Sequence, residues 1–72
     1  MQDLQTRPSA RCHERGRLVM KGECYALRRD DGVEFWLEMD RIPQHLIDRP
    51  VIVEGTRFAT TLISVALIGP ER

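Results

Sequence analysis

The feature that most constrains the fold is a series of short, strand-like segments between Arg17 and Ile68, interrupted once by the proline-containing stretch Asp40 to Asp48. Short segments that are rich in apolar residues and bounded by Gly, Pro or Asp are typical of β-strands. Three such segments precede the interruption and two follow it. The pattern predicts an all-β domain in which five short strands enclose one small core.

The length of 72 residues is enough for one small domain. Residues 1–14 contain Pro8 and few large apolar side chains, so we expect them to form a flexible N-terminal arm. Residues 15–69 would then form the single domain.

A first strand is predicted from about Arg15 to Lys21, with Leu18 and Met20 on one face and Val19 on the other. Gly22 follows it directly. Because one long strand must serve both halves of a small closed sheet, this glycine is expected to mark a bulge or a sharp bend.

The strongest local signal is Asp30-Asp31-Gly32, since Gly32 can adopt a positive φ without steric cost and favours a tight hairpin. A two-residue loop would place Arg28 opposite Phe35, and a three-residue loop would place Leu27 opposite Phe35. The second register pairs apolar with apolar side chains, so it is preferred. The flanking strands are predicted at Glu23 to Arg29 and Val33 to Met39.

This register assigns the two faces of the hairpin. The residues expected to face inward are Tyr25, Leu27, Val33, Phe35, Leu37 and Met39. Those expected to face outward are Cys24, Ala26, Arg28, Glu34, Trp36 and Glu38. Arg28 would pair with Glu34 across the hairpin, and Trp36 is left as a large aromatic that the core pattern does not require.

The interrupting stretch Asp40 to Asp48 predicts a short helix that closes one end of the sheet. Its apolar residues recur at near-helical spacing, and Pro43 suits a first helical turn. Three strands, a short α-helix and a final hairpin are the arrangement of the OB fold, a partly open five-stranded barrel. The alternative is an SH3-like barrel, which usually lacks so long an element between its third and fourth strands.

The final hairpin is predicted from two further strands, Val51 to Phe58 and Thr61 to Ile68, with Gly55 as a second bend. In the last strand, one face is expected to carry Ile63, Val65 and Leu67, and the other Leu62, Ser64, Ala66 and Ile68.

Composition limits the classes of function. Eleven basic residues balance eleven acidic ones, which argues against a general binder of phosphate backbones. No apolar stretch approaches the roughly 18 residues that span a bilayer, and Met1 to Ala10 lack the apolar run of a secretory signal. We therefore expect no membrane partner and a cytoplasmic location.

Several short motifs resemble a family of very short bacterial proteins known only as a domain of unknown function. These motifs are Gly16-x-Leu18, Gly22-Glu23-Cys24, Asp30-Asp31-Gly32 and Val51-x-Val53-x-Gly55. The resemblance covers roughly residues 16–68 and implies an OB-like C-terminal half. Members of that family often carry a longer, cysteine-containing loop where this chain has only Ala59-Thr60-Thr61, so no role of that loop is transferred.

The candidate site is the outer face around Trp36. OB folds that bind single-stranded nucleic acid present aromatic and cationic side chains on the second and third strands. The candidate binding residues here are Trp36, Arg28, Glu34, Glu38, Lys21 and Arg57. Since Glu34 and Glu38 flank Trp36 and would repel phosphates, the first hypothesis is a protein partner or a homo-oligomer. Weak binding of single-stranded nucleic acid is the alternative.

No catalytic residue, cofactor or metal site is predicted. The soft metal ligands of the chain are Cys12, His13, Cys24 and His45. They form neither a CxxC nor an HxxxH pair, and Cys24 is more simply a small strand residue than a nucleophile. In a reducing compartment both cysteines are expected to be free thiols.

Overall fold

The computed structural model describes residues 10–71, which form one sheet of five strands. The strands are β1 (Ala10–Lys21), β2 (Cys24–Arg28), β3 (Glu34–Glu38), β4 (Pro50–Phe58) and β5 (Leu62–Pro70). Their order is β1-β2-β3-β5-β4, and β4 pairs with β1 to close the ring. All neighbours are antiparallel except β3 and β5, which run parallel. The predicted all-β class with five strands is confirmed.

The long strand β1 serves both halves of the closed sheet. It pairs with β4 from Ala10 to Arg17 and with β2 from Arg17 to Lys21. The strand starts at Ala10 rather than near Arg15, because residues 10–14 of the predicted flexible arm find partners on β4. Residues 1–9 of that arm lie outside the described residues.

The glycine that β1 needs within its length is Gly16, whereas Gly22 lies in the turn after the strand. A Cβ on Gly16 would collide with the backbone carbonyl of Arg28, so only glycine lets the end of β2 approach β1 this closely. Gly22 instead belongs to the turn between Lys21 and Cys24, which pair with each other. Its φ of 67° is the reason for a glycine there.

The β2–β3 hairpin has the predicted three-residue register. Leu27 lies opposite Phe35, and the Arg29 N–H donates to the Val33 carbonyl at 2.8 Å. Gly32 closes the loop with a φ of 91°. The apolar cross-strand pairing that favoured this register is therefore confirmed.

The core lies inside the ring and is entirely apolar among the described residues. It consists of Leu18, Leu27, Phe35, Leu37, Leu46, Val51, Val53 and Ile63. Val33, one of the residues expected to face inward, is 42% exposed because it lies just before β3 begins, where the ring no longer covers it. Met20, which is predicted on the same face as Leu18, is 55% exposed near the end of β1. Ala26, in contrast, was expected to be on the outer face and lies there, yet it is only 1% exposed. It is paired directly with the larger Trp36.

The connector between β3 and β4 is a single 3₁₀ turn, Gln44–Leu46, so the predicted α-helix is wrong. The Leu46 N–H donates to the Pro43 carbonyl at 2.8 Å, a bond over three residues. Ile47 has returned to an extended backbone with a ψ of 133°, and Asp48 has a positive φ of 68°, so the turn does not continue into an α-helix. Leu46 nevertheless closes the core as expected. From residue 10 to residue 71, no helix is long and apolar enough to cross a membrane.

A β-bulge in β5 reverses the predicted faces of its second half. Glu54 pairs with Leu67 and Gly55 pairs with Val65, which leaves Ala66 as the extra residue. Ile68 therefore packs against the core, whereas Leu67 is 64% exposed. The predicted strict alternation is wrong because the sequence pattern does not reveal the inserted residue.

The bulge depends on the glycine across from it. A Cβ on Gly55 would collide with the Ser64 carbonyl, and we expect Gly55→Ala to lower the free energy of unfolding by about 1–3 kcal/mol. Gly69→Ala is the control, since nothing lies within 4 Å of a Cβ at Gly69, and should change it by less than about 0.5 kcal/mol. Urea unfolding of dilute protein measures both, and equal values would contradict the steric explanation.

Candidate binding face around Trp36

The strand order brings together apolar side chains that are far apart in sequence. Trp36 on β3 pairs with Ala26 on one side and with Leu62 on the other, and Leu62 pairs in turn with Phe58 on β4. Directly opposed residues of a sheet project from the same face. We call the set Val19, Ala26, Trp36, Leu62 and Phe58 the apolar row.

One half of the apolar row is open to solvent. Trp36 is 42% exposed and Phe58 is 40% exposed, with the half-buried Leu62 between them. Val19 and Ala26 at the other end are buried. Contiguous exposed apolar surface on a small protein is typical of a binding surface, whereas isolated exposed residues are not.

A charged cluster borders Trp36 on the same outer face. Lys21 Nζ contacts Glu34 Oε1 at 2.6 Å, and Arg28 Nε contacts Glu34 Oε2 at 2.7 Å. The Lys21 ammonium also lies 5.5 Å from the centroid of the Trp36 ring, within cation–π range. The predicted Arg28–Glu34 pair is present, and Lys21 completes a cluster in which one carboxylate holds two cations.

The two cations determine the protonation of Glu34. The hydrogen bond from Lys21, followed by that from Arg28, lowers the pKa of Glu34 below its ordinary value of 4.5. The cluster is exposed to solvent and screened by salt, so it fixes side-chain geometry more than it stabilises the fold.

Replacing Glu34 with Gln should reduce stability at neutral pH and have little effect in acid. Because the folded-state pKa is lowered, the contribution is present above pH 4.5 and is lost as the pH falls through the folded-state pKa. Urea unfolding of both proteins near pH 7 and near pH 3 measures this difference. Glu38→Gln is the control, since Glu38 forms no ion pair with any described residue. An equal loss for Glu34→Gln at both pH values would contradict the assignment.

The other two candidate residues have different positions. Glu38 is exposed at the end of β3, two residues from Trp36 and opposite Ser64. The Arg57 guanidinium lies 5.8 Å from the ring of Phe35, a core residue. Arg57 therefore covers one end of the core and does not belong to the face around Trp36.

Sequence reasoning missed Leu62 and Phe58 as parts of the site. Both were treated only as strand residues of the final hairpin. The neighbour relation between β3 and β5 is what places them beside Trp36. The strand order of the barrel predicted from the sequence, applied to side-chain pairing, could have found them.

A groove of about 730 Å³ lies elsewhere on the protein, between the first half of β1 and the turn after β2. Four of its charged side chains pair with one another: Arg15 with Glu71 at 3.1 Å, and Arg29 with Asp31 at 2.5 Å. Because these groups already have partners and the groove is polar, the apolar row is the stronger candidate for a binding site.

The two cysteines lie on different strands of the described part of the chain. Cys12 is half-buried against the core, Cys24 is exposed at the start of β2, and both are free thiols. Within residues 10–71, no three His, Cys, Asp or Glu side chains are placed to hold a metal ion.

Comparison with known proteins identifies a family without a known activity. No curated protein and no solved structure matches the chain. A family model described as protein of unknown function, DUF5818, matches residues 15–71, nearly the whole described region. The predicted resemblance to a domain of unknown function is confirmed, and the chain belongs to the DUF5818 family.

Proposed function

We propose that this protein is a non-enzymatic binding module with an OB fold, which binds another protein through the exposed part of the apolar row. The observation that carries the proposal is the contiguous surface of Trp36, Leu62 and Phe58. The partner is either a foreign protein or a second copy of this chain.

The OB assignment is supported by the order of the elements. Three strands in a meander are followed by a short connector and a hairpin, and the hairpin strand β5 returns to pair with β3. A closed five-stranded sheet with one 3₁₀ turn between β3 and β4 fits this reading better than an SH3-like barrel.

The charges around Trp36 support a protein partner. Beside Trp36, Lys21 and Arg28 contribute two positive charges and Glu34 and Glu38 two negative ones, so these four side chains sum to zero; Arg17, opposite Arg28, adds one further cation to the face. A large aromatic side chain surrounded by balanced polar groups is the usual composition of a protein interface, with an apolar anchor and a polar rim. The free Cys12 and Cys24 agree with a cytoplasmic site of action.

Trp36→Ala and Phe58→Ala should abolish binding, with a loss of about 2 kcal/mol or more for the tryptophan, the cost of removing a central interface anchor. Val33→Ala is a matched control, because Val33 is also 42% exposed but lies outside the apolar row. Pull-down from the source cell, followed by mass spectrometry, compares the three variants with the wild type. Proteins retained equally by all four would contradict the proposal.

Sedimentation of the purified protein tests the version with a second copy. If self-association uses the apolar row, Trp36→Ala should sediment as a lighter species than the wild type and Val33→Ala should not. Identical wild-type and Trp36→Ala profiles would eliminate this version and leave the foreign partner.

Binding of single-stranded nucleic acid is a second candidate, favoured by one contact. The Lys21 ammonium beside the Trp36 ring offers a cation next to a stacking surface. Lys21 and Arg28 are, however, both engaged by Glu34, which reduces their attraction for phosphate.

Fluorescence of Trp36, the only tryptophan, distinguishes the two candidates. We expect short single-stranded oligonucleotides to leave the emission unchanged even at low salt. Quenching that weakens as salt is raised would instead support nucleic-acid binding, since release of counterions makes such binding salt-dependent. Trp36→Phe provides the blank for the titration.

A further inference from the structure

The second half of β5 has an unpaired edge. The parallel ladder with β3 ends at Glu38 and Ser64, so within residues 10–71 the strand that pairs with residues 65–70 is β4 alone. No backbone hydrogen bond from another described segment reaches that edge. A strand edge of this kind presents free N–H and C=O groups to a further strand.

The part of this edge that can pair regularly with another strand is short and carries no charged side chain. The bulge at Ala66 and the missing N–H of Pro70 both interrupt regular pairing, which leaves the window Leu67-Ile68-Gly69 between them. The other edge that lacks a second partner, residues 10–16 of β1, contains Arg11, Glu14 and Arg15. Charged side chains protect such edges from pairing, and only the β5 window lacks them.

Among residues 10–71, no contact or backbone angle explains the glycine at position 69. Gly16 and Gly55 avoid collisions with backbone carbonyls, and Gly22 and Gly32 have positive φ angles. Gly69 alone has neither, with open space around a Cβ at its position. Glycine weakens a strand, and in a strand interior it often marks the close approach of another group.

The side chain of Leu67 matches the open space at Gly69 in shape. It is the most exposed large apolar side chain among residues 10–71, at 64%. It pairs with Glu54 on the outer face, and Gly69 pairs with Ile52 on the same face. An exposed leucine and a glycine with open space beside it thus lie two residues apart on one face of β5, next to the free edge.

We propose that the β5 edge is an interface between two copies of this chain, in which the Leu67–Gly69 windows pair antiparallel. A two-fold axis at Ile68 places Leu67 of each copy over Gly69 of the other, so that each leucine fills the space the glycine leaves. The window has no charge to repel its own copy, and a two-fold contact closes after two subunits.

This interface uses a surface other than the apolar row. Leu62 and Trp36 lie at the opposite end of β5, where β3 is its partner. A window of three residues per copy is small, so we expect a weak dimer with a dissociation constant of about 10 µM to 1 mM.

Gly69→Val is the decisive variant. Because a Cβ at this position meets no atom within 4 Å and the backbone φ is not positive, the monomer should be as stable as the wild type or slightly more stable. The branched side chain would, however, occupy the space required by Leu67 of the second copy. Sedimentation across about 10 µM to 1 mM should show a dimer for the wild type and a monomer for Gly69→Val.

A second variant and two controls complete the experiment. Leu67→Ser should also remove the dimer, whereas Met20→Ser, at 55% exposure on another strand, should retain it. Trp36→Ala should retain it as well, which separates this inference from the proposed function. A wild type that is monomeric at about 1 mM, or a dimer that survives Gly69→Val, would overturn the proposal.

Discussion

The parallel ladder between β3 and β5, only three residue pairs long, is the contact on which the rest of the molecule depends. It closes the ring, so that the inward side chains of all five strands meet in one apolar core. It also joins Trp36 to the final hairpin, reinforced by the bond of 2.6 Å from the Trp36 N–H to the Thr61 carbonyl. Parallel pairing between distant segments forms late and at a cost in chain entropy, so closure of the ring and assembly of the apolar row are expected to occur together during folding.

The parts of the fold governed by local chemistry could be predicted from the sequence. The three-residue hairpin followed from Gly32 and from matching Leu27 with Phe35, because both signals lie within one short segment. The family resemblance was likewise readable from short motifs. What remained hidden depended on contacts between distant strands: the start of β1 at Ala10, which needs β4, and the bulge at Ala66, which needs Gly55.

In the candidate site, too, the residues identified by local sequence pattern could be predicted, and those placed by contacts between distant strands could not. Trp36 and its acidic neighbour Glu34 were recognisable because strict alternation left them outside the core. Arg57 is predicted near the rim of this face, but nothing local to β4 indicates that its guanidinium lies over the Phe35 ring. Leu62 gained its role only through the ring order. The composition of a surface that is assembled from several strands cannot be predicted from the pattern of each strand alone.

The bulge at Ala66 makes the interior of the barrel insensitive to the length of β5. Without that residue, Val65 would be followed directly by Leu67, and the pairs of Leu67 with Glu54 and of Ile68 with Val53 would stay the same. Leu67 would remain on the outer face and Ile68 in the core, because the bulge already takes up the extra residue. The strand can therefore carry one residue more or less at this point without exchanging its inner and outer side chains.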